Sequence, residues 1–223
     1  YGYVGLDTSG NGDVTVTGAG SSWKNSADIT IGDGGTGVLR ILNGGTVSST
    51  SAYVGNFFGS NGSVMLSDAG SAWSNSDSLT LGNGGTGTLT LAEGAQVSVR
   101  SGLGSIVLGA FTGSSGTLSL GAAPNSPGDA TGAGELDVLK LELGDGAGTL
   151  NFNHTDNDYG LNAALISTGA GTHALNQLAG ITRLNADNSS FNGTTTVTGG
   201  TLIIANQLGG SASVTGGRLQ VDG

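Results

Sequence analysis

Residues 1–50 lie over residues 51–100 without a gap. Tyr3-Val4-Gly5 falls on Tyr53-Val54-Gly55, Gly20-Ser21-Ser22-Trp23 on Gly70-Ser71-Ala72-Trp73, and Gly34-Gly35-Thr36-Gly37 on Gly84-Gly85-Thr86-Gly87. Each of these units divides again. An aliphatic residue followed by glycine recurs at Val4-Gly5, Ile31-Gly32, Val54-Gly55, Leu81-Gly82, Leu108-Gly109 and Leu143-Gly144, giving a half-unit of about 25 residues. A repeat this short cannot bury a hydrophobic face alone, so its copies must stack on one another.

Within each half-unit, short alternating runs sit between glycine turns. Val14-Thr15-Val16, Ile29-Thr30-Ile31, Leu79-Thr80-Leu81 and Leu89-Thr90-Leu91 are examples. Alternation sends one set of side chains inward and the other outward. Three such runs per half-unit predict one coil of a parallel β-helix, with inward Val, Ile and Leu forming continuous columns. Glycine and asparagine would take the corners, where positive φ is needed. About nine coils would fit, giving a rod roughly 40 Å long at the strand spacing. An antiparallel sandwich also has short strands and glycine turns, but has no reason to repeat at two nested periods.

Composition agrees with a coil of tight corners. Glycine is 45 of 223 residues, proline 2 and cysteine 0. Collagen and disulfide scaffolds are excluded, and this much glycine disfavours long helices. The formal net charge of −10 disfavours nucleic acid and anionic lipid surfaces as partners. No apolar run reaches the length of a membrane-spanning helix, so no membrane insertion by this segment is expected. The chain starts in mid-pattern, which reads as a piece of something longer.

The organisation expected is regular β-helix over 1–120, a loop insertion over 121–134 carrying Pro124 and Pro127, and a β-helix continuation over 135–223. The turn after the aliphatic-glycine pair alternates in length. It is long at 6–12, 56–62 and 110–116, and short at 33–37, 83–87 and 145–148.

The segment Leu81-Gly82-Asn83-Gly84-Gly85-Thr86-Gly87-Thr88-Leu89-Thr90-Leu91 resembles a glycine-rich repeat of type V secretion passengers. Asn192-Gly193-Thr194-Thr195-Thr196-Val197-Thr198-Gly199-Gly200-Thr201-Leu202 is similar to the autotransporter-associated β-strand repeat, and Leu150 to Asp156 looks like a piece found between the two. The resemblance implies a passenger of an AIDA-type bacterial autotransporter: an all-β, right-handed, single-stranded parallel β-helix exported through the outer membrane. It implies a place at the bacterial cell surface and a role in adhesion or self-association, as in aggregation and biofilm. The partners implied are like passengers or a host surface protein or glycan. The alternative is a released effector binding one host-cell receptor.

Enzyme chemistry is not expected. His154-Thr155-Asp156 could belong to a triad or metal site, and His173 follows at slightly less than one coil's distance along the chain. No nucleophile elbow, zinc-protease motif or cysteine accompanies them. The turns lack the aspartate pattern of calcium-binding β-rolls and the lysine of a phosphate loop. No cofactor and no metal are expected.

Binding candidates are therefore surface features. Thr30 and Thr80 head a set of outward Thr, Ser and Asn positions on which two rods would zip together. Leu6, Phe57, Phe58 and Phe111 lie on the long turns, at the same edge of every second coil, where exposed tips would form a ridge. Trp23 and Trp73 either fill a widened core or anchor a partner. Tyr3 and Tyr53, each preceding a core valine, should point outward.

Overall fold

The computed structural model describes residues 1–124 and 130–222. Every described element is a strand, and all pairs of strands are parallel. Strands inside each sheet hydrogen-bond to the strand one coil earlier and one coil later on the same face, and the strands at its ends to one of these. This is a parallel β-helix.

One face runs unbroken through nine strands: Asn11–Thr17, Thr36–Leu42, Asn61–Leu66, Thr86–Leu91, Ser115–Gly121, Ala147–Asn153, His173–Ala179, Thr194–Val197 and Ser211–Val214. Its register makes columns. Val16, Ile41, Leu66, Leu91, Leu120 and Phe152 stack inward, with buried Gln177 next. The neighbouring column is Val14, Leu39, Val64 and Leu89, evenly spaced at one per coil. The step along the chain then widens at Leu118 and again at Leu150, returns to its first length at Leu175, and contracts at Thr195 and further at Ala212.

A ten-stranded sheet covers the other two sides of the early coils. Its first part carries the column Val4, Ile31, Val54, Leu81, Leu108 and Leu143. Its second carries Trp23, Val47, Trp73, Val97 and Leu136. The two parts join because Thr46–Val54 and Ala72–Leu81 continue around the corner as single strands, with an irregularity between Ser49 and Ser51. Three separate strands per coil is thus not the rule there. The later coils are narrower for a different reason. The side carrying Ala164–Ser167 is continued beyond that strand by little more than the bridge between Asn188 and Leu208. A four-stranded sheet, Tyr159–Leu161, Ile181–Leu184, Thr201–Ile204 and Arg218–Val221, supplies the remaining wall.

Residues 125–129 of the expected insertion, including Pro127, lie outside the described residues. Its described ends are tied back. Ala122 N donates to Asn153 O at 2.9 Å, Gly132 N to the Glu93 carboxylate at 2.9 Å, and Ala133 bridges Ala92.

The glycine after each aliphatic residue is a corner with two constraints. Gly5, Gly32, Gly55, Gly82 and Gly109 all have left-handed φ, between 63 and 75°. A Cβ on Gly82 would lie 2.1 Å from the carbonyl oxygen of Ser115. Gly144 follows Leu143 in the same column but is not among the left-handed glycines, so the corner rebuilds there. Gly113, at the tip of a long turn, is left-handed with open space around it. Gly113→Ala is therefore expected to cost about 1–2 kcal/mol from backbone strain alone. Gly82→Ala should lower stability by distinctly more, because two coils must separate. Urea unfolding midpoints of the two variants check this, and equal midpoints would remove the close-packed corner from the account.

Candidate functional site

The corner that follows the glycine column is fixed by an amide ladder. Asn56 Nδ2 donates to Asp33 Oδ1 at 2.8 Å, and Asn83 Nδ2 donates to Asn56 Oδ1 at 2.9 Å. From this corner the long turns project. Each of the two later ones is closed by a serine, Ser60 Oγ donating to Phe57 O and Ser114 Oγ to Phe111 O, both at 2.7 Å. A turn pinned this close to its own root holds its tip away from the rod. Phe57 is 59% exposed, Phe58 90% and Phe111 61%, and Leu6 in the first long turn is also exposed. None of the rings folds back over its corner. Phe57 and Phe111 hold the same turn position two coils apart, or roughly 10 Å.

Beside this ridge the outward column on the first part of the ten-stranded sheet reads Tyr3, Thr30, Tyr53, Thr80, Val107 and Glu142. Tyr3 and Tyr53 flank Thr30 from the coils before and after it. Together with Asp28, Asp33 and Phe57 they line a shallow cleft of about 190 Å³. Tyr1 stacks on Tyr3 with ring centroids 6.3 Å apart. The lining of the cleft combines aromatic rings with the carboxylates of Asp28 and Asp33 and the amide of Asn56.

Two groups of candidates change role. Thr30 and Thr80 do point outward, but they are only 5% and 6% exposed. Larger neighbours in the same column, Tyr3 and Tyr53 for Thr30 and Tyr53 and Val107 for Thr80, stand on either side of each, so neither threonine offers a free polar face. Trp73 is fully buried in the inward column and Trp23 is half-buried against the core. Trp73 fills the core where Val47 and Val97 leave room between coils, so it is not a surface anchor, whereas Trp23 packs only part of its ring against that core.

The histidines do not meet. His154 follows the end of Ala147–Asn153, whereas His173 begins the next strand of that face, paired with Gly148. About six residues of strand, roughly 20 Å, separate them. His154 is fully buried, packs edge-on against Phe152, lies near Tyr159, and shares a 2.8 Å hydrogen bond between Nε2 and Thr182 Oγ1. Burial holds its pKa below the ordinary 6.5, partly opposed by Asp156 nearby. Burial likewise pushes the Tyr159 hydroxyl well above the usual phenol range, helped by the charges of Asp156 and Glu135. His173 ties three coils together: Nε2 donates to Gly144 O at 2.9 Å, and Nδ1 lies 2.8 Å from both Ser167 Oγ and Asn192 Oδ1. Ser167 and His173 have the spacing of a nucleophile and base, but the far nitrogen faces a backbone carbonyl, and the serine oxygen already accepts from Asn192 N. This is a staple. Among the described residues no three His, Cys, Asp or Glu side chains are grouped to hold a metal ion.

No family model, curated protein or solved structure gives a significant match to the chain. The residues that sequence reasoning leaves out of the site are Asp28, Asp33 and Asn56. The signal for Asp33 and Asn56 is the Asp33, Asn56, Asn83 series directly after the glycine column, readable as a stacked ladder; Asp28 has no such signal.

His154 makes stability depend on pH with a defined sign. Its folded pKa lies below its unfolded value, so the unfolded state takes up the proton first as pH falls. The stability from the neutral buried ring is complete above about pH 6.5 and declines below it, down to the folded pKa. Thermal midpoints at pH 7.5, 6.0 and 5.0 should fall more steeply for the natural chain than for His154→Gln. Parallel curves would remove His154 as the cause.

Proposed function

We propose that this chain is a segment of an extracellular, cell-surface β-helical passenger of the autotransporter kind, and that it works by surface contact, in adhesion or self-association. The observation that carries the reading is the ridge of Leu6, Phe57, Phe58 and Phe111, apolar tips standing off one edge of a rigid stack. Apolar groups so presented recover free energy only when another surface covers them. The aromatic cleft beside the ridge extends the contact area. The ridge replaces the Thr30 and Thr80 face as the expected surface of contact, since those hydroxyls are already covered.

The purified chain is expected to associate with rising concentration in sedimentation velocity. Serine at Phe57, Phe58 and Phe111 together should weaken that association at least about tenfold, since each buried phenylalanine contributes about 1.5–3 kcal/mol. The unfolding midpoint should not change, because no core contact is lost. A chain that stays monomeric at high concentration, or a triple variant that associates as strongly, would overturn self-association through the ridge.

A further inference from the structure

The second copy of the long repeat shows which residues the corner beside Thr30 needs and which it does not. Across that offset Thr30 matches Thr80, Asp28 matches Ser78 and Asp33 matches Asn83. The backbone is the same at both places. Ile29–Ile31 and the end of Ala72–Leu81 lie in the same part of the ten-stranded sheet, and each is followed by a left-handed glycine. Asn83 takes its rung of the corner ladder as an amide, so the ladder does not require the charge of Asp33. The stacked neighbours differ as well. Thr30 lies between Tyr3 and Tyr53, whereas Thr80 lies between Tyr53 and Val107. Two carboxylates and a second ring are thus added at Thr30 with no demand from the fold.

These additions converge on one place. Tyr3, Tyr53 and Phe57 line the cleft of about 190 Å³ together with Asp28 and Asp33. Tyr3 and Tyr53 stand one coil to either side of Thr30, roughly 10 Å apart, so a group seated over the threonine lies about 5 Å from each. A cation is attracted to an aromatic ring within about 6 Å. Asp33 is only 8% exposed, and its Oδ1 accepts from Asn56 Nδ2 at 2.8 Å. Asp28 Oδ1 accepts from Ser51 N at 3.1 Å. Neither carboxylate forms an ion pair among the described residues. The second oxygen of each has no donor and is not sealed from solvent.

Aromatic rings beside unmatched carboxylates select an organic cation. The rings attract the charge and the C–H groups next to it, and the open carboxylate oxygens call for N–H donors. A quaternary ammonium has no N–H to give, and a hydrated metal ion gains little from the rings. We propose that the cleft binds a primary alkylammonium group, that of a lysine side chain on a partner surface. Its ammonium is drawn to Asp28 and Asp33, and its methylene stem lies between Tyr3 and Tyr53. The site adjoins the phenylalanine ridge and rests on that edge being a surface of contact. Cation binding is read on single chains and association of copies by sedimentation, so either can fail without the other.

The test is a titration of the 15N-labelled chain, followed by NMR, with Nα-acetyl-lysine methylamide, its uncharged norleucine analogue, choline chloride and calcium chloride. Only the lysine compound is expected to give saturable shifts of the amides from Asp28 to Asp33 and of Tyr3 and Tyr53. Asp28→Asn keeps an oxygen for Ser51 N while removing the charge, and should weaken binding at least about fivefold, the scale of one charge-assisted hydrogen bond. Tyr3→Leu, at an exposed position, should weaken it as well. Asp145→Asn removes the same charge in a later coil, from a carboxylate that likewise accepts a backbone amide, and should leave binding unchanged. No saturable shift, undiminished binding by Asp28→Asn or Tyr3→Leu, or an equal loss in Asp145→Asn overturns the site. Equal binding of choline or of the norleucine analogue overturns the primary-ammonium assignment. Saturable calcium shifts at the same amides overturn the organic-cation assignment in favour of a metal site.

Discussion

The backbone hydrogen bond from one coil to the next is what every other feature depends on. It continues even through the corners, where Gly32 N donates to Val4 O, Gly55 N to Ile31 O, Gly82 N to Val54 O and Gly109 N to Leu81 O, at 2.7–2.9 Å. These bonds fix the axial position of each residue against its neighbour above and below. A side-chain type placed once per coil therefore becomes a column. Aliphatic columns make the core, and the Asp33, Asn56, Asn83 series makes a ladder of amide hydrogen bonds. The left-handed glycines matter because they let that bonding turn a corner with no side chain between coils.

The repeat made the columns legible. Val14, Leu39, Val64 and Leu89 are visible in the sequence because alternation and period point to the same residues. The parallel stack follows from them. What surrounds an outward residue was not legible. Alternation correctly sent Thr30 and Thr80 outward, but exposure depends on residues a whole coil away along the chain. There Tyr3, Tyr53 and Val107 are large enough to cover a threonine. The same holds for Trp73, whose place in the core is set by the valines of the adjacent coils. The exposed phenylalanines were more readable, because a glycine-rich turn contains nothing for a ring to pack on. The serine that pins each turn, and so keeps the ring out, carries no comparable sequence signal.

The two ends of the described rod are held differently. Early coils rely on long fused strands, on the glycine corners and on repetition of one aliphatic type. Later coils lose most of one side, take progressively shorter steps along the chain, and contain buried polar side chains at core positions, including His154, His173, Gln177 and Thr195. Hydrogen bonds such as those from His173 to three different coils replace part of the lost strand pairing. A polar core of this kind is less forgiving of substitution than an aliphatic column, because removing one partner leaves another buried and unmatched.

The alternation of long and short turns has a geometric consequence. Phenylalanine tips occur on every second coil, so the ridge behaves as a toothed edge with a pitch of roughly 10 Å, whereas the backbone advances at half that distance. A partner bearing the same teeth can mesh only at offsets that are whole multiples of the pitch. Sliding by a single coil sets tooth against tooth and leaves the apolar surface uncovered. Contact along such an edge is therefore stepped, with overlap, and with it holding strength, gained or lost one tooth at a time.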